Sequence, residues 1–123
     1  MGYAWPARKK QKYNAIQSNG YASKLESSLN QRLMLREKSG EITDIRRQHA
    51  VFLTDACLRF KIDFSFIIVK TKELVFAEAK GMVTDRWALL EKLWPYYGPG
   101  TLEIYKGDYR DPVLADVIKI KEK

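Results

Sequence analysis

The stretch from Leu58 to Val69 constrains this chain more than any other. Phe60, Ile62, Phe64, Phe66 and Ile68 recur at every second position, with Lys61, Asp63 and Ser65 between them. A period of two is that of a strand with one buried face. A second strand is expected from Glu73 to Ala79, ended by Gly81, and the short link between the two makes them an antiparallel hairpin. A shorter run rich in strand formers, Gln48 to Leu53, precedes them. From Ser23 to about Ser39 the period changes: Leu25, Leu29 and Leu33 form one apolar stripe of a helix. Ser23 with Glu26 reads as a capping box at its start, Gly40 as its stop, and Arg36 and Lys38 suit its negative end. A second helix is expected from Asp85 to Trp94, capped by Thr84 and stopped by Pro95, with Trp87, Leu90 and Trp94 on the stripe that covers a sheet. The Gly98-Pro99-Gly100 turn then leads to a last strand near Leu102 to Tyr105. Val117, Ile118 and Ile120 in the tail fit either state. The order helix, three strands, helix, strand describes one α/β domain.

A chain of 123 residues suits a single domain. Its 22 Lys and Arg against 15 Asp and Glu leave a net charge of +7, which favours a polyanionic partner. One cysteine, Cys57, excludes an internal disulfide and a cysteine zinc site and points to a reducing compartment. One histidine, His49, excludes multi-histidine metal sites. No secretory leader is visible, and the longest apolar run, Phe64 to Val69, is too short to span a bilayer. A cytoplasmic location, without a membrane partner, is therefore expected. The acid-free basic run Arg8, Lys9, Lys10 and Lys12 reads as a solvated arm, equally suited to solubility and to nucleic-acid contact.

Asp63, Glu78 and Lys80 carry the chemistry. Glu78 and Lys80 lie two apart in a strand, so both leave the same face about 6.5–7 Å apart. If Lys70-Thr71 is a two-residue turn, opposed residue numbers sum to 141 and Asp63 faces Glu78. Directly opposed Cβ atoms lie about 4.5–5.5 Å apart, where like charges repel. A divalent cation bridging the two carboxylates is a physical reason for such a pair. A three-residue loop would instead turn Asp63 to the other face. The ordinary alternative is a solvated face on which Asp63 and Lys80 form a surface ion pair.

Ile62-Asp63-Phe64, followed by Val75-Phe76-Ala77-Glu78-Ala79-Lys80-Gly81, resembles the bipartite motif of the PD-(D/E)XK nucleases. Ile62 stands where the motif is named for proline, a departure common in that superfamily. The element order matches the family's core, and many members carry a first-helix glutamate at the place of Glu26. Lys12-Tyr13-Asn14-Ala15, Gly20 and Ser23-Lys24-Leu25-Glu26 further resemble small phage and prophage proteins of this superfamily. Among characterised relatives, the likeness is to Holliday junction resolvases of the phage endonuclease I type and the archaeal type. It covers roughly residues 12 to 105.

The resemblance implies a restriction-endonuclease-like core (α-β-β-β-α-β) with a mixed sheet flanked by helices. The expected division is a basic arm over residues 1–22, the nuclease domain over 23–111, and a C-terminal tail over 112–123 that can pack on the domain but lies outside the resemblance. Asp63, Glu78 and the Ala79 carbonyl would bind Mg²⁺, with Mn²⁺ able to substitute. Lys80 would orient the attacking water or neutralise the phosphate, and Glu26 would complete the site or hold a second metal; its other reading is the capping box. Arg8, Lys9, Lys10, Lys12, Lys24, Arg46, Arg47 and Arg86, with Lys92 as an alternative to Arg86, would hold DNA phosphates without reading bases. The implied activity is metal-dependent endodeoxyribonuclease action on branched DNA, in particular four-way junctions, by a homodimer in a host cytoplasm. Cleavage of flaps, nicks or ordinary duplex is the alternative, as is a non-catalytic basic nucleic-acid-binding module on the same fold. The remaining polar and aromatic residues have plainer readings. Gln48 reads as a strand-edge polar residue in preference to one on the metal-facing side, His49 as a half-buried or surface histidine, and Cys57 as a small core residue. Trp87, Trp94, Tyr96 and Tyr97 read as core and interface.

Overall fold

The computed structural model describes residues 24–80, 83–108 and 110–122. Helix α1 occupies residues 24–38. Strands β1 (Ile42–Leu53), β2 (Leu58–Ile68) and β3 (Leu74–Ala79) follow, then helix α2 (Asp85–Tyr97) and strands β4 (Thr101–Lys106) and β5 (Val113–Ile118). They form one five-stranded sheet in the order β1-β2-β3-β4-β5. The pairs β1/β2, β2/β3 and β4/β5 are antiparallel, whereas β3 and β4 are parallel because α2 carries the chain across. The protein is thus α/β with a mixed sheet. No helix among the described residues is long and apolar enough to cross a membrane.

Helix α1 behaves as its stripe predicts: Leu25, Leu29 and Leu33 are fully buried. Its end is a Schellman motif, with the Glu41 N–H bonded to the Arg36 carbonyl, the Gly40 N–H to the Glu37 carbonyl, and Gly40 at φ +87°. Ser23 and the Arg8–Lys12 arm lie outside the described residues. At α2, the Thr84 hydroxyl accepts from the Trp87 N–H at 3.1 Å, as a cap should. The helix does not stop at Trp94, however, but runs through Pro95 to Tyr97. Trp94 holds that last turn in place. Its buried indole meets Phe76 edge to face at 5.3 Å and donates to the Gly100 carbonyl at 2.7 Å. The Pro95 carbonyl finds a partner in the Lys121 N–H. Gly98 closes the turn because a Cβ there would stand 2.6 Å from the Trp94 indole.

Three expectations change, at β1, at the tail and at the β2–β3 link. β1 begins at Ile42, six residues before Gln48. The polar sequence Thr43, Asp44, Arg46, Arg47 hides it, and a register shift near Asp44 (φ +56°) breaks the alternation. The ambiguous tail resolves as β5, paired with β4 from Ile118 to Val113. Arg32 of α1 ties its entrance, bonding the Pro112 carbonyl and the Asp111 carboxylate at 3.0 and 2.9 Å. The β2–β3 link is not a two-residue turn. Ile68 pairs with Glu73 across four residues, and the Lys72 N–H closes back on the Ile68 carbonyl. Adding one residue to each side of a turn leaves the pairing sum unchanged, so Phe64 faces Ala77, Ser65 faces Phe76 and Phe66 faces Val75 as expected.

The alternation of β2 also conceals a change of side. Phe60 and Ile62 pack with Trp87, Leu90 and Trp94 of α2, whereas Phe64 and Phe66 pack with Leu29 and Leu33 of α1. The two helices cover opposite faces of the sheet, so β2 crosses from one face to the other at Asp63. β1 makes the same crossing opposite it. Arg47 stands over Phe64 and His49 against Phe76, with Gln48 between them at φ +54°. Cys57 is not a core residue either. It is exposed in the β1–β2 turn, where φ is +56° and its N–H bonds the Thr54 carbonyl.

Candidate active site

The crossing places Asp63 beside the end of β3, where β2 and β3 stop exchanging ladder bonds after Phe64 and Ala77. Side chains take over there. The Asp63 N–H donates to Glu78 Oε1 at 2.9 Å, and the Ala79 N–H donates to Asp63 Oδ2 at 2.9 Å. Each carboxylate is therefore bonded to the other strand's backbone, and both are half-buried.

The charges are not balanced. Burial pushes the Glu78 carboxyl up to about 8, with the Asp63 charge adding to it, against the bond from the Asp63 N–H and the Lys80 charge. Burial likewise raises Asp63 to about 6, against the Ala79 N–H bond, with Glu26 raising it further. Lys80 opposes both shifts without cancelling them. Among the described residues it forms no ion pair with either carboxylate; its ammonium stands 4.5 Å from the centre of the Trp87 ring. The surface pair of Asp63 with Lys80 is thus absent.

Glu26 comes to the same place from α1. Its Oε2 accepts from Gln48 Nε2 at 3.1 Å, and its charge is felt by both carboxyls. The site thus gathers Glu26, Asp63, Glu78 and Lys80 from α1, β2 and β3. Among the described residues no three His, Cys, Asp or Glu side chains converge as ligands of one cation. Asp63 and Glu78 are the two whose oxygens lie on facing strands, available to a hard cation.

Beside Glu78 lies a depression of about 160 Å³, floored by Phe60, Trp87 and Leu90 and rimmed by Lys61, Lys80 and Arg86. Arg86 lies 4.4 Å over the Phe60 ring and also bonds the Arg59 carbonyl. Lys24, Arg46 and Arg47 are exposed, as is Lys92. Arg8, Lys9, Lys10 and Lys12 lie outside the described residues.

Sequence reasoning missed Lys61 and the part played by Trp87, and for Gln48 it preferred the strand-edge reading over the metal-facing one. The signal for Gln48 was available in principle, because a β1–β2 register puts it opposite Asp63; its left-handed backbone was not. His49 is half-buried, as expected, and bonds the buried Ser65 hydroxyl at 2.7 Å. Trp94 belongs wholly to the core, whereas Tyr96 and Tyr97 are exposed.

No protein-family model, curated protein or solved structure matches this chain.

Proposed function

We propose that the chain is a Mg²⁺-dependent endodeoxyribonuclease built on a restriction-endonuclease-like core and acting on branched DNA, most specifically as a Holliday junction resolvase. The observation that carries the reading is the reciprocal pair, in which Asp63 and Glu78 are each bonded to the other strand's backbone, with Lys80 two residues on. The element order, and the parallel β3/β4 pair reached through α2, support the likeness to PD-(D/E)XK nucleases.

The residues present fit a hard divalent cation. Two oxygen ligands face each other, and their raised carboxyls mark a site short of positive charge. When bound, Mg²⁺, or Mn²⁺ in its place, would supply a water of lowered pKa and charge at the phosphate. Asp63 and Glu78 would hold it, with the Ala79 carbonyl as the further ligand the resemblance implies. Lys80, kept near the carboxylates by the Trp87 ring instead of by an ion pair, is free to meet the phosphate or orient the water. Glu26 completes the acidic set.

Arg46, Arg47, Lys24 and Arg86, with the basic arm, hold backbone phosphates, which gives salt-dependent binding without base reading. Two symmetric cuts across a junction need two sites, so the active species is a two-fold homodimer.

An end-labelled four-way junction and its matched linear duplex, each incubated with Mg²⁺ and with chelator, test the proposal. Paired symmetric nicks in the junction alone, lost with chelator, are expected. Equal cutting of both substrates would keep the nuclease and sink the junction preference. Tight binding without cleavage would leave a non-catalytic nucleic-acid-binding module.

A further inference from the structure

We propose that Gln48 is a positioning residue of this site: its carboxamide holds Glu26 of α1 from a place in β1 level with Asp63 of β2, and its left-handed backbone puts it there. The inference rests on the nuclease reading for its purpose, but not for its geometry. Four observations converge on this residue. Gln48 occupies β1 between Arg47, paired with Phe64, and His49, paired with Ile62, and so stands level with Asp63. Its φ is +54°, which an unbranched L-residue adopts only under constraint. Its Nε2 donates to Glu26 Oε2 at 3.1 Å. Finally, both strands change sheet face at this level, β1 at Gln48 and β2 at Asp63.

The residue type suits the task. A carboxamide carries N–H donors and no charge, so it holds the Glu26 carboxylate beside Asp63 without neutralising either. A lysine or arginine there would supply the positive charge that the site leaves for a cation. A glutamate would repel both neighbours. The left-handed backbone turns β1 over between Arg47 and His49, so that the side chain of the residue between them reaches Glu26 of α1 from a position level with Asp63.

A double-mutant cycle in metal-free protein tests the tether directly. Glu26→Ala and Gln48→Met, which keeps the length but removes the donors, are made singly and together, and unfolding is followed in urea. The tether requires the two changes to be coupled by at least about twofold in the unfolding constant. Additive effects would overturn it. Calorimetric titration with Mn²⁺ then reads the positioning. Gln48→Met and Gln48→Gly should each bind about tenfold more weakly than the parent chain, although glycine relieves the backbone and should keep or raise stability. A purely structural Gln48 would leave the glycine variant binding as well as the parent, and that result would overturn the positioning role. If the parent itself takes up no Mn²⁺, the metal reading fails and the cycle alone still decides whether Gln48 holds Glu26.

Discussion

The two halves of β2 have the same alternation and opposite fates. Phe60 and Ile62, before Asp63, lie against α2, while Phe64 and Phe66, after it, lie against α1. Both pairs are buried, so burial alone does not distinguish the halves. The difference is made at one residue, and that residue carries a half-buried carboxylate. A strand that simply alternated would keep Asp63 on one face, over one helix. A strand that crosses puts it at the seam, where β3, α1 and β1 all reach it. Regular structure builds the two walls, and the irregular step between them makes the site.

If the seam is catalytic and not structural, removing its charge separates activity from stability. Asp63→Asn keeps an acceptor for the Ala79 N–H but loses the anion. Cleavage of the junction should fall by about a thousandfold or more. The melting temperature at pH 8 should hold or rise, since a buried and crowded charge is gone. A fall in both would mean that Asp63 is a structural ion. The walls should answer in the opposite way. Phe64→Ala, at a fully buried position on the α1 side, should cost about 3–5 kcal/mol in urea unfolding. Phe60→Ala, in the floor of the depression beneath Arg86, should cost toward the lower end of that range and also weaken DNA binding, because Arg86 loses its ring.

The sequence was most legible where one physical rule acts alone. The four-residue spacing of Leu25, Leu29 and Leu33 set the buried stripe of α1, and the pairing sum placed Asp63 near Glu78 even though the loop was longer than supposed. It was least legible where the backbone leaves its usual region. Asp44, Gln48 and Cys57 are residues of ordinary type with positive φ, and nothing in their identity announces it. From those angles follow the hidden first half of β1, the change of face at Gln48 and the exposure of Cys57. Tertiary packing accounts for α2, where Trp94 carries the helix past a proline that local preference reads as a stop. β5 escaped because its outer edge is exposed and its apolar residues alternate imperfectly around a register shift at Ala115.

Titration sharpens the comparison further. In metal-free protein the folded carboxyls sit at about 6 for Asp63 and about 8 for Glu78, above their ordinary 3.8 and 4.5. Between those limits the folded chain holds more protons than the unfolded one, so its stability falls as pH rises. The contribution is fully present below about pH 4 and is lost as pH passes through 6 and then 8. Melting in chelator across pH 5 to 9 should show this decline, and Glu78→Gln should flatten its upper part. Saturating Mg²⁺ should flatten it too, because a cation favours the ionised pair. His49 acts in the other direction: burial and Arg46 lower its pKa, so its contribution is lost as pH falls below the ordinary 6.5. A profile that rises steadily from pH 5 to 9 would mean that the carboxylates are not crowded as described.

The smallest effect belongs to the link that sets the register. Lys72 closes the β2–β3 connection at φ +65°, its N–H bonded to the Ile68 carbonyl and its side chain exposed. Glycine adopts that angle without a Cβ clash, so Lys72→Gly should raise stability by about 0.5–1 kcal/mol, less the entropy that glycine adds to the unfolded chain. Cleavage should not change, because the four-residue length still pairs Ile68 with Glu73 and keeps Asp63 level with Glu78. Deleting Thr71 is the complementary test. A three-residue link shifts one strand by a residue and turns its side chains over, which would take Asp63 away from Glu78 and abolish cutting. If the deletion variant cuts as well as the parent, the register is held from the β1 side, where Gln48 faces Asp63, and the hairpin link merely follows it.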